Sequence, residues 1–381
     1  MIYLDNAATT PVKEAAKQAM EPFFSDKYSN PSSAYEFGVE AYDKMEECRA
    51  RIAKMINCEP WEIYFTSGGT ESDNFAIKQV CRTYKDKGNH IITTEIEHHA
   101  VLNSCNAMER EGFKVTKLRV DENGRINLND LINAITKDTI LISIMYANNE
   151  IGTIEPIYKI GAIAHKNKIL FHSDAVQAFG HIPVDVKYMN IDILSASGHK
   201  FGGPKGIGFM YVKDGVKIYP FMDGGSQEKG MRAGTGNVAG IVGMSAAAMD
   251  AYDNMRKNVK YTSKLRDYMA MRIQKEIKGV KINGHPHYRL PNNLNISVEG
   301  VEGTSLMVLL DNEGICVSTG SACTQGNGEP SHVLKAINLD KKYLGGSIRM
   351  TLSERNTRDE IDYTVDCLKK CTEKLRSNSP L

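Results

Sequence analysis

The chain has 381 residues, 41% hydrophobic and 24% charged, which is the composition of an ordinary globular protein with a large core. Its formal net charge of +1 excludes a general electrostatic attraction to nucleic acid or to acidic membranes, so we predict no direct nucleic-acid partner. The longest apolar stretch, residues 140–146, is too short to span a bilayer, and residues 1–5 lack the pattern of a signal peptide. We therefore expect a cytoplasmic protein that does not bind membranes.

The first two thirds of the chain alternate short strand-like runs with helical patterns. Strands are predicted over residues 62–66, 90–94, 114–118, 139–145, 168–173, 191–195 and 208–212, and helices over residues 71–85, 99–111 and 157–166. This alternation predicts an α/β fold with a mostly parallel sheet between helices. Such sheets bind ligands in the loops at the carboxyl ends of their strands.

A long helical pattern over residues 238–277 leads into a part of the chain with a different layout. It has predicted strands over residues 293–298, 314–318 and 347–351, a helix over residues 304–311 and a last helix from residue 357. We expect a large domain over residues 15–255 and a smaller C-terminal α/β domain over residues 256–381. Residues 1–14 are expected to pack with the small domain.

The cysteines are scattered and form no CxxC pair, so we expect reduced thiols and no metal site. Cys367 and Cys371 stand four residues apart on a predicted helix and are interpreted as ordinary helix residues. The eight positions are Cys48, Cys58, Cys81, Cys105, Cys316, Cys323, Cys367 and Cys371.

Residues 67–72 follow the first predicted strand and open a helix. Backbone N–H groups at a helix N-terminus make an anion site that suits a phosphate group. The alternative is an ordinary helix start in which Ser67 or Thr70 is the capping residue.

Polar side chains also follow the second and fourth predicted strands. His98 and His99 come after residues 90–94, where a histidine can stack on a flat ring, move a proton near neutral pH, or only cover the helix start. Asn148 and Asn149 offer amide groups to a ligand, although two adjacent asparagines are also typical of a turn.

The next two strand ends carry an acid and a lysine. Asp174 could pair with a pyridinium nitrogen, with Gln177 about one turn further on, or it could be a helix cap. Lys200 lies among small residues in 195–206, where glycines allow a ligand to come close, and a lysine amine can form a Schiff base with a carbonyl cofactor.

Cys323 lies in residues 317–331, which contain three glycines and several small polar residues. This composition is typical of a mobile loop, with a helix beginning near Pro330. A cysteine on such a loop could carry a group between two places, or it could have no role. Cys316, by contrast, is predicted to lie in a buried strand.

Taken together and in this order, the segments resemble the cysteine desulfurases of the NifS/IscS type, a branch of the class V aminotransferases among the fold-type I pyridoxal-phosphate enzymes. Nine ordered segments make this a strong signal over nearly the whole chain, whereas any one of them would be modest. The matching segments are residues 3–11, 66–74, 97–98, 148–152, 174–177, 197–200, 232–235, 320–323 and 347–349.

The resemblance implies how pyridoxal 5′-phosphate would be held. Lys200 would bond the cofactor as a Schiff base, Asp174 would pair with the ring nitrogen, Gln177 would meet the ring hydroxyl, and His98 would stack on the ring. The phosphate would be held by Gly69, Thr70, Ser197 and His199.

The resemblance also implies the remaining contacts of the site. Thr235 would reach the phosphate held by a partner subunit, which implies a homodimer. Asn149 and Arg349 would bind the carboxylate of L-cysteine, a task that suits a guanidinium. The small-residue form of residues 318–323 resembles the class of desulfurases with a long catalytic loop.

The implied reaction takes sulfur from L-cysteine, leaves L-alanine and forms a persulfide on Cys323. Lys200 would remove the Cα proton, His98 could act as a proton shuttle, and the Cys323 thiolate would attack the substrate sulfur. An iron–sulfur scaffold protein of the IscU/NifU kind is the expected acceptor, with tRNA-thiolating enzymes as other clients. The alternatives are an aminotransferase, a selenocysteine lyase, and a non-catalytic sulfur-transfer adaptor.

Two departures from the family pattern affect partner-facing details. Ser226 and Lys229 stand where Gly and Arg are expected, and residues 33–38 lack a histidine that is often found there.

Overall fold

A computed structural model describes residues 1–320 and 330–378 of the chain. The predicted sulfur acceptor, Cys323, and the loop predicted around it lie outside the described residues. In the described part, no helix is both long and apolar enough to cross a membrane.

The described residues form strands and helices that we number in chain order. The strands are β1 (Ile2–Tyr3), β2 (Ile63–Thr66), β3 (His90–Thr94), β4 (Lys114–Leu118), β5 (Thr139–Ser143), β6 (Leu170–Asp174), β7 (Ile193–Ser197), β8 (Gly208–Val212), β9 (Val280–Asn283), β10 (Asn293–Val298), β11 (Ile315–Cys316) and β12 (Ser347–Thr351). The helices are α1 (Glu14–Met20), α2 (Pro22–Ser25), α3 (Glu36–Met55), α4 (Gly69–Tyr84), α5 (His99–Arg110), α6 (Leu128–Ala134), α7 (Ile157–Lys166), α8 (Val238–Glu276), α9 (Gly303–Asn312), α10 (His332–Ala336), α11 (Lys341–Leu344) and α12 (Arg358–Asn378).

In the part of the chain that the structure describes, seven strands form one sheet in the order β2-β8-β7-β6-β5-β3-β4. Strand β8 pairs antiparallel with both of its neighbours, and the other pairs are parallel. The prediction of a mostly parallel sheet between helices is confirmed.

Both faces of this sheet are covered, which explains why strands β3, β5 and β7 are buried along their whole length. Ile91 and Ile92 of β3 point to opposite faces, yet each is fully buried. Ile91 packs in the same cluster as Phe75 of α4, whereas Ile92 packs in the cluster that contains Ile52 of α3 and Ile160 of α7. Each such isoleucine contributes about 1.5–3 kcal/mol of burial.

A second core lies under an antiparallel sheet of order β12-β10-β9. It includes Leu4, and Ile2 of β1 pairs with Ile315 of β11, so the N-terminal segment packs here. Helix α8 passes from the first core, where Ile241 lies, to this one, where Met269 lies. Because α8 continues without a break through residues 255 and 256, the domain boundary at that point stays a proposal.

Several element bounds differ from the predicted ones. Strand β6 begins at Leu170, not at residue 168, because Lys168 has a positive φ of 58° and still belongs to the turn after α7. Strands β6 and β7 extend to Asp174 and Ser197, so these two predicted site residues lie within the strands. Strand β11 is only two residues long, and Cys316 is half-buried instead of buried.

Candidate active site

The carboxyl ends of β6 and β7 open into a cavity of about 450 Å³. Its lining includes residues from both ends of the chain, because residues 7–9 and Arg349 of β12 close one side. The predicted site residues that line it are Gly69, Thr70, His98, Asn149, Asp174, Gln177, Ser197, His199, Lys200 and Arg349.

Lys200 is carried by a single helical turn, Gly198–Lys200, directly after β7. Its Nζ donates hydrogen bonds to the carbonyl oxygens of Ala7, at 2.7 Å, and Ala8, at 2.9 Å. The turn is tight, since a Cβ on Gly203 would lie 2.9 Å from the backbone oxygen of Gly198. The amine is thus oriented by the N-terminal segment, a contact that the sequence pattern did not indicate.

Asp174 ends β6 with its carboxylate at the cavity. Its Oδ1 accepts a hydrogen bond from the backbone N–H of Val176 at 2.9 Å. The residues that follow Asp174 form a turn and not a helix, so the helix-cap alternative is wrong. Burial raises the pKa of Asp174 to about 6, while the positive charge of Lys200 acts in the opposite direction. A cationic partner for Asp174 would therefore favour its ionised form.

A buried polar chain lies behind Asp174, and sequence analysis missed it. His172 is hydrogen-bonded through Nδ1 to Ser143 Oγ at 2.8 Å and through Nε2 to Ser195 Oγ at 3.0 Å. Asp73 of α4 places Oδ1 3.6 Å from His172 Nε2 and also lines the cavity. Burial raises the pKa of Asp73 and lowers that of His172 to about 3, so His172 is neutral.

Helix α4 begins at Gly69 without any side-chain cap, so the alternative of Ser67 or Thr70 as the cap is wrong. The backbone N–H of Ser67 instead binds Glu71 Oε2 at 2.9 Å. A Cβ on Gly69 would lie 2.5 Å from Val176 Cγ2, so a larger residue there would force the Val176 side chain to move. The first N–H groups of a long helix are thus presented to the cavity, an arrangement that suits an anion.

His98 both caps helix α5 and lines the cavity. Its Nδ1 accepts a hydrogen bond from the backbone N–H of Ala100 at 3.1 Å, which leaves the proton of the neutral ring on Nε2. Burial, and then the charge of Lys200, lower the pKa of His98 to about 4. His99 does not line the cavity, and its ring packs 4.7 Å from that of His332.

Arg349 is almost fully buried on β12 with its guanidinium fixed at the cavity wall. Nη2 donates to Asp5 Oδ1 at 2.7 Å and Nη1 donates to the backbone oxygen of Asn149 at 3.2 Å. Among the described residues its Nε has no hydrogen-bond partner. Asn148 is a turn residue, whose Oδ1 accepts from the backbone of Glu150 and Ile151, so only Asn149 faces the cavity.

Two of the remaining predicted residues, Gln177 and His199, contact the N-terminal segment, and Thr235 lies outside the cavity. Gln177 donates from Nε2 to the backbone oxygen of Ala7 at 3.0 Å, and His199 Nδ1 lies 3.1 Å from Thr9 Oγ1. Thr235 is exposed and lines a neighbouring pocket that shares Ser67 with the cavity, so it is not brought to Lys200 within one chain. No cysteine of the described residues lines the cavity.

The chemistry of this donor set fits pyridoxal 5′-phosphate. An uncapped helix N-terminus suits the phosphate, a buried carboxylate whose pKa is raised suits a protonated ring nitrogen, and a lysine amine lines the same cavity. The cavity volume of about 450 Å³ is in the range of small-molecule sites.

Comparison with known proteins agrees with this geometry. The family described as aminotransferase class-V matches residues 2–364. The cysteine desulfurase IscS of Dictyoglomus turgidum is 52% identical over 379 residues, which cover 100% of this chain and 96% of that protein. A solved NifS-like protein superposes with a TM-score of 0.92 at 39% identity, covering 98% of this chain and 99% of the other.

A further solved structure, described as SspA in complex with cysteine, superposes with a TM-score of 0.84 at 35% identity, covering 94% of this chain and all of the other. Proteins of this family depend on pyridoxal 5′-phosphate. The chain belongs to the aminotransferase class-V family and, within it, to the cysteine desulfurases of the IscS and NifS type.

Proposed function

We propose that this protein is a pyridoxal-phosphate-dependent cysteine desulfurase that converts L-cysteine to L-alanine and places the sulfur on Cys323. The observation that carries the proposal is the convergence of the Lys200 amine, the Asp174 carboxylate, the N-terminus of α4 and the Arg349 guanidinium on one cavity. The relatives and the solved structure with cysteine support the same assignment.

The residues that would hold the cofactor fall into two groups. Lys200 would bond its carbonyl carbon, Asp174 would pair with the ring nitrogen, Gln177 would donate to the ring hydroxyl and His98 would cover the ring face. The phosphate would be held by Gly69, Thr70, Ser197 and His199. When bound, the cofactor supplies an electron sink for the negative charge that develops at the substrate Cα.

Lys200 is the proposed base that takes the Cα proton onto Nζ, which requires the amine to be neutral. Its backbone acceptors, Ala7 and Ala8, lie within 2.9 Å and hold Nζ at the cavity between reaction steps. His98 is neutral because its pKa is lowered to about 4, so any proton that it delivers comes from Nε2–H of a neutral ring.

Arg349 is the proposed site for the substrate carboxylate, together with Asn149. Asp5 and the Asn149 carbonyl already hold the guanidinium plane, so little side-chain entropy is lost when a carboxylate binds. Burial of Arg349 strengthens such a charge-assisted hydrogen bond.

The sulfur step balances without any further reagent. The Cβ–S bond of L-cysteine breaks as a bond forms between the substrate sulfur and Sγ of Cys323. These two sulfur atoms are thereby oxidised to a persulfide, and Cβ of the substrate is reduced to the methyl group of alanine. The Cys323 thiolate is the nucleophile, and protons from the two thiols and from the site complete alanine.

We further propose a cytoplasmic homodimer that delivers sulfur to an iron–sulfur scaffold protein of the IscU/NifU kind or to another acceptor. Support for the dimer comes from Thr235, which is exposed and lies outside the cavity of its own chain. A role for Thr235 in phosphate binding therefore needs a second copy of the chain.

The test is the substitution Cys323→Ala, with alanine and sulfide production from L-cysteine as the readouts. The proposal predicts loss of turnover with retention of the cofactor absorbance. Turnover at the wild-type rate would overturn the acceptor assignment, and transamination of a keto acid by the wild type would favour the aminotransferase alternative. Comparing the turnover of L-cysteine with that of L-selenocysteine tests the selenocysteine lyase alternative.

A further inference from the structure

One buried carboxylate lies next to a residue on each side of the segment that contains Cys323. Ser331 donates a hydrogen bond from Oγ to Oε2 of Glu150. At the other border, a Cβ on Gly320 would lie 3.3 Å from the same Oε2, and Gly320 has a φ of +130°. The same Cβ would lie 3.7 Å from Ser331 Cβ, so residues 320 and 331 lie side by side next to the Glu150 carboxylate.

Burying the Glu150 carboxylate at this position costs folding free energy. It is fully buried, and its Oε1 has no hydrogen-bond partner among the described residues. Its backbone is fixed by Asn148 Oδ1 and by Asn295 Nδ2, which donates to the Glu150 carbonyl at 3.2 Å. A buried carboxylate with an unused oxygen costs folding free energy, and what distinguishes Glu150 is that its other oxygen accepts the hydrogen bond of Ser331.

Ser331 links this carboxylate to the next helix. Its Oγ accepts hydrogen bonds from the backbone N–H groups of Val333, at 3.1 Å, and Leu334, at 3.4 Å, as the N-cap of α10. Because both bonds use Oγ as the acceptor, its single hydroxyl proton is left to donate to Glu150. The direction of the helix and the position of residue 331 are therefore set by the same contact.

On the other side of the Cys323 segment, residues 318–320 are held by β12, the strand that carries the proposed substrate-binding residue Arg349. Ser318 exchanges two backbone hydrogen bonds with Arg349, of 3.1 Å and 2.6 Å, and its Oγ donates to the Gly320 carbonyl at 3.0 Å. Glu150 also directly follows Asn149, whose carbonyl accepts from Arg349.

We propose that Glu150 is a positioning residue for sulfur transfer, which holds residue 331 close to Gly320 and so fixes the spacing of the two described ends that flank the Cys323 segment. The inference rests on the proposed function. It predicts that loss of the Glu150–Ser331 contact slows persulfide formation on Cys323 but leaves the earlier binding of L-cysteine intact.

The test uses a matched pair of variants, Ser331→Asp and Ser331→Asn, in the cofactor-loaded protein. Both keep an N-cap acceptor for α10. The aspartate cannot donate to Glu150 and places a like charge beside it, whereas the asparagine amide can still donate. The two readouts are the absorbance change on adding L-cysteine and the single-turnover rate of persulfide formation at Cys323.

We expect Ser331→Asp to slow persulfide formation about tenfold or more, the effect of losing one charge-assisted hydrogen bond, with the absorbance change retained. Ser331→Asn is expected to stay within about threefold of the wild type. Equal persulfide rates in both variants and the wild type would overturn the inference, and so would an equal loss of the absorbance change and the persulfide rate.

A second pair removes the carboxylate itself. Glu150→Ala is expected to slow persulfide formation like Ser331→Asp, whereas Glu155→Ala removes another buried carboxylate that contacts neither Gly320 nor Ser331 and should leave the rate unchanged. Equal effects of the two substitutions would contradict the positioning role. If the wild type formed no persulfide at Cys323 at all, the proposed function would fail instead.

Discussion

The Nζ atom of Lys200 lies 2.7 Å from the carbonyl oxygen of Ala7, a residue 193 positions earlier in the chain. The N-terminal segment is thereby part of the active site as well as of the second core, which contains Leu4. Because the same carbonyl accepts from Gln177 Nε2 at 3.0 Å, a single backbone oxygen orients two proposed cofactor ligands.

Lys200→Ala should abolish the reducible absorbance near ~400–430 nm that a Schiff base between an amine and pyridoxal phosphate gives. Lys205→Ala is the matched control, because Lys205 lines the same cavity without bonding to Ala7 or Ala8 in the part of the chain that is described. The control should keep the band. If Lys200→Ala kept a band of unchanged intensity that borohydride still reduced, the cofactor would be bonded to another amine.

His98 has two roles that substitutions can separate. His98→Asn keeps a side-chain acceptor for the N–H of Ala100, so we expect the thermal stability of the wild type with reduced turnover of L-cysteine. His98→Ala loses the cap as well and should cost about 1 kcal/mol of stability. The measurements are thermal unfolding and steady-state kinetics. Full activity in the stable asparagine variant would show that the ring only caps the helix.

Arg349→Lys should raise the KM for L-cysteine about tenfold or more, because a lysine cannot make a forked contact with a carboxylate. The bond to Asp5 would also weaken, so Asp5→Asn serves as the control that perturbs the support without removing the guanidinium. Asp5→Asn should raise the KM for L-cysteine by a smaller factor than Arg349→Lys does. An unchanged KM in Arg349→Lys would place the substrate carboxylate elsewhere.

Burial raises the pKa of Glu155 to about 8 from its ordinary value of 4.5. The folded state therefore holds this proton more tightly than the unfolded state, and its ionisation costs stability as pH rises from about 4.5 to about 8. Glu155→Gln removes the titration but keeps an acceptor for the backbone N–H of Ile126. The variant should gain unfolding free energy over the wild type across that window, as measured by urea titration. Parallel pH profiles would contradict the assignment.

The sequence predicted the parts of the site that depend on where strands end. Asp174 ends β6 and Lys200 follows the neighbouring parallel strand β7, so the alternation of strands and helices was enough to place them at one edge of the sheet. The helix-cap alternatives failed at Asp174 and at Ser67 because their side chains do not cap the helices proposed for them.

Contacts made through backbone atoms could not be predicted in this way. The carbonyl oxygens of Ala7 and Ala8 carry no side-chain signal, and they reach Lys200 because the N-terminal segment packs on the second core. Nothing in the sequence indicated a role for Glu150, because its partner Ser331 lies 181 residues away. The predicted domain boundary between residues 255 and 256 falls inside α8, which continues there as one helix, so it stays a proposal.

The most direct test of the whole account is mass analysis of the protein after one turnover with L-cysteine, with free and persulfide thiols trapped by alkylation. The proposed function predicts one added sulfur atom on the peptide that contains Cys323 and an equal amount of L-alanine. Alanine formed with no sulfur on Cys323, or with the sulfur on another cysteine such as Cys316, would contradict it.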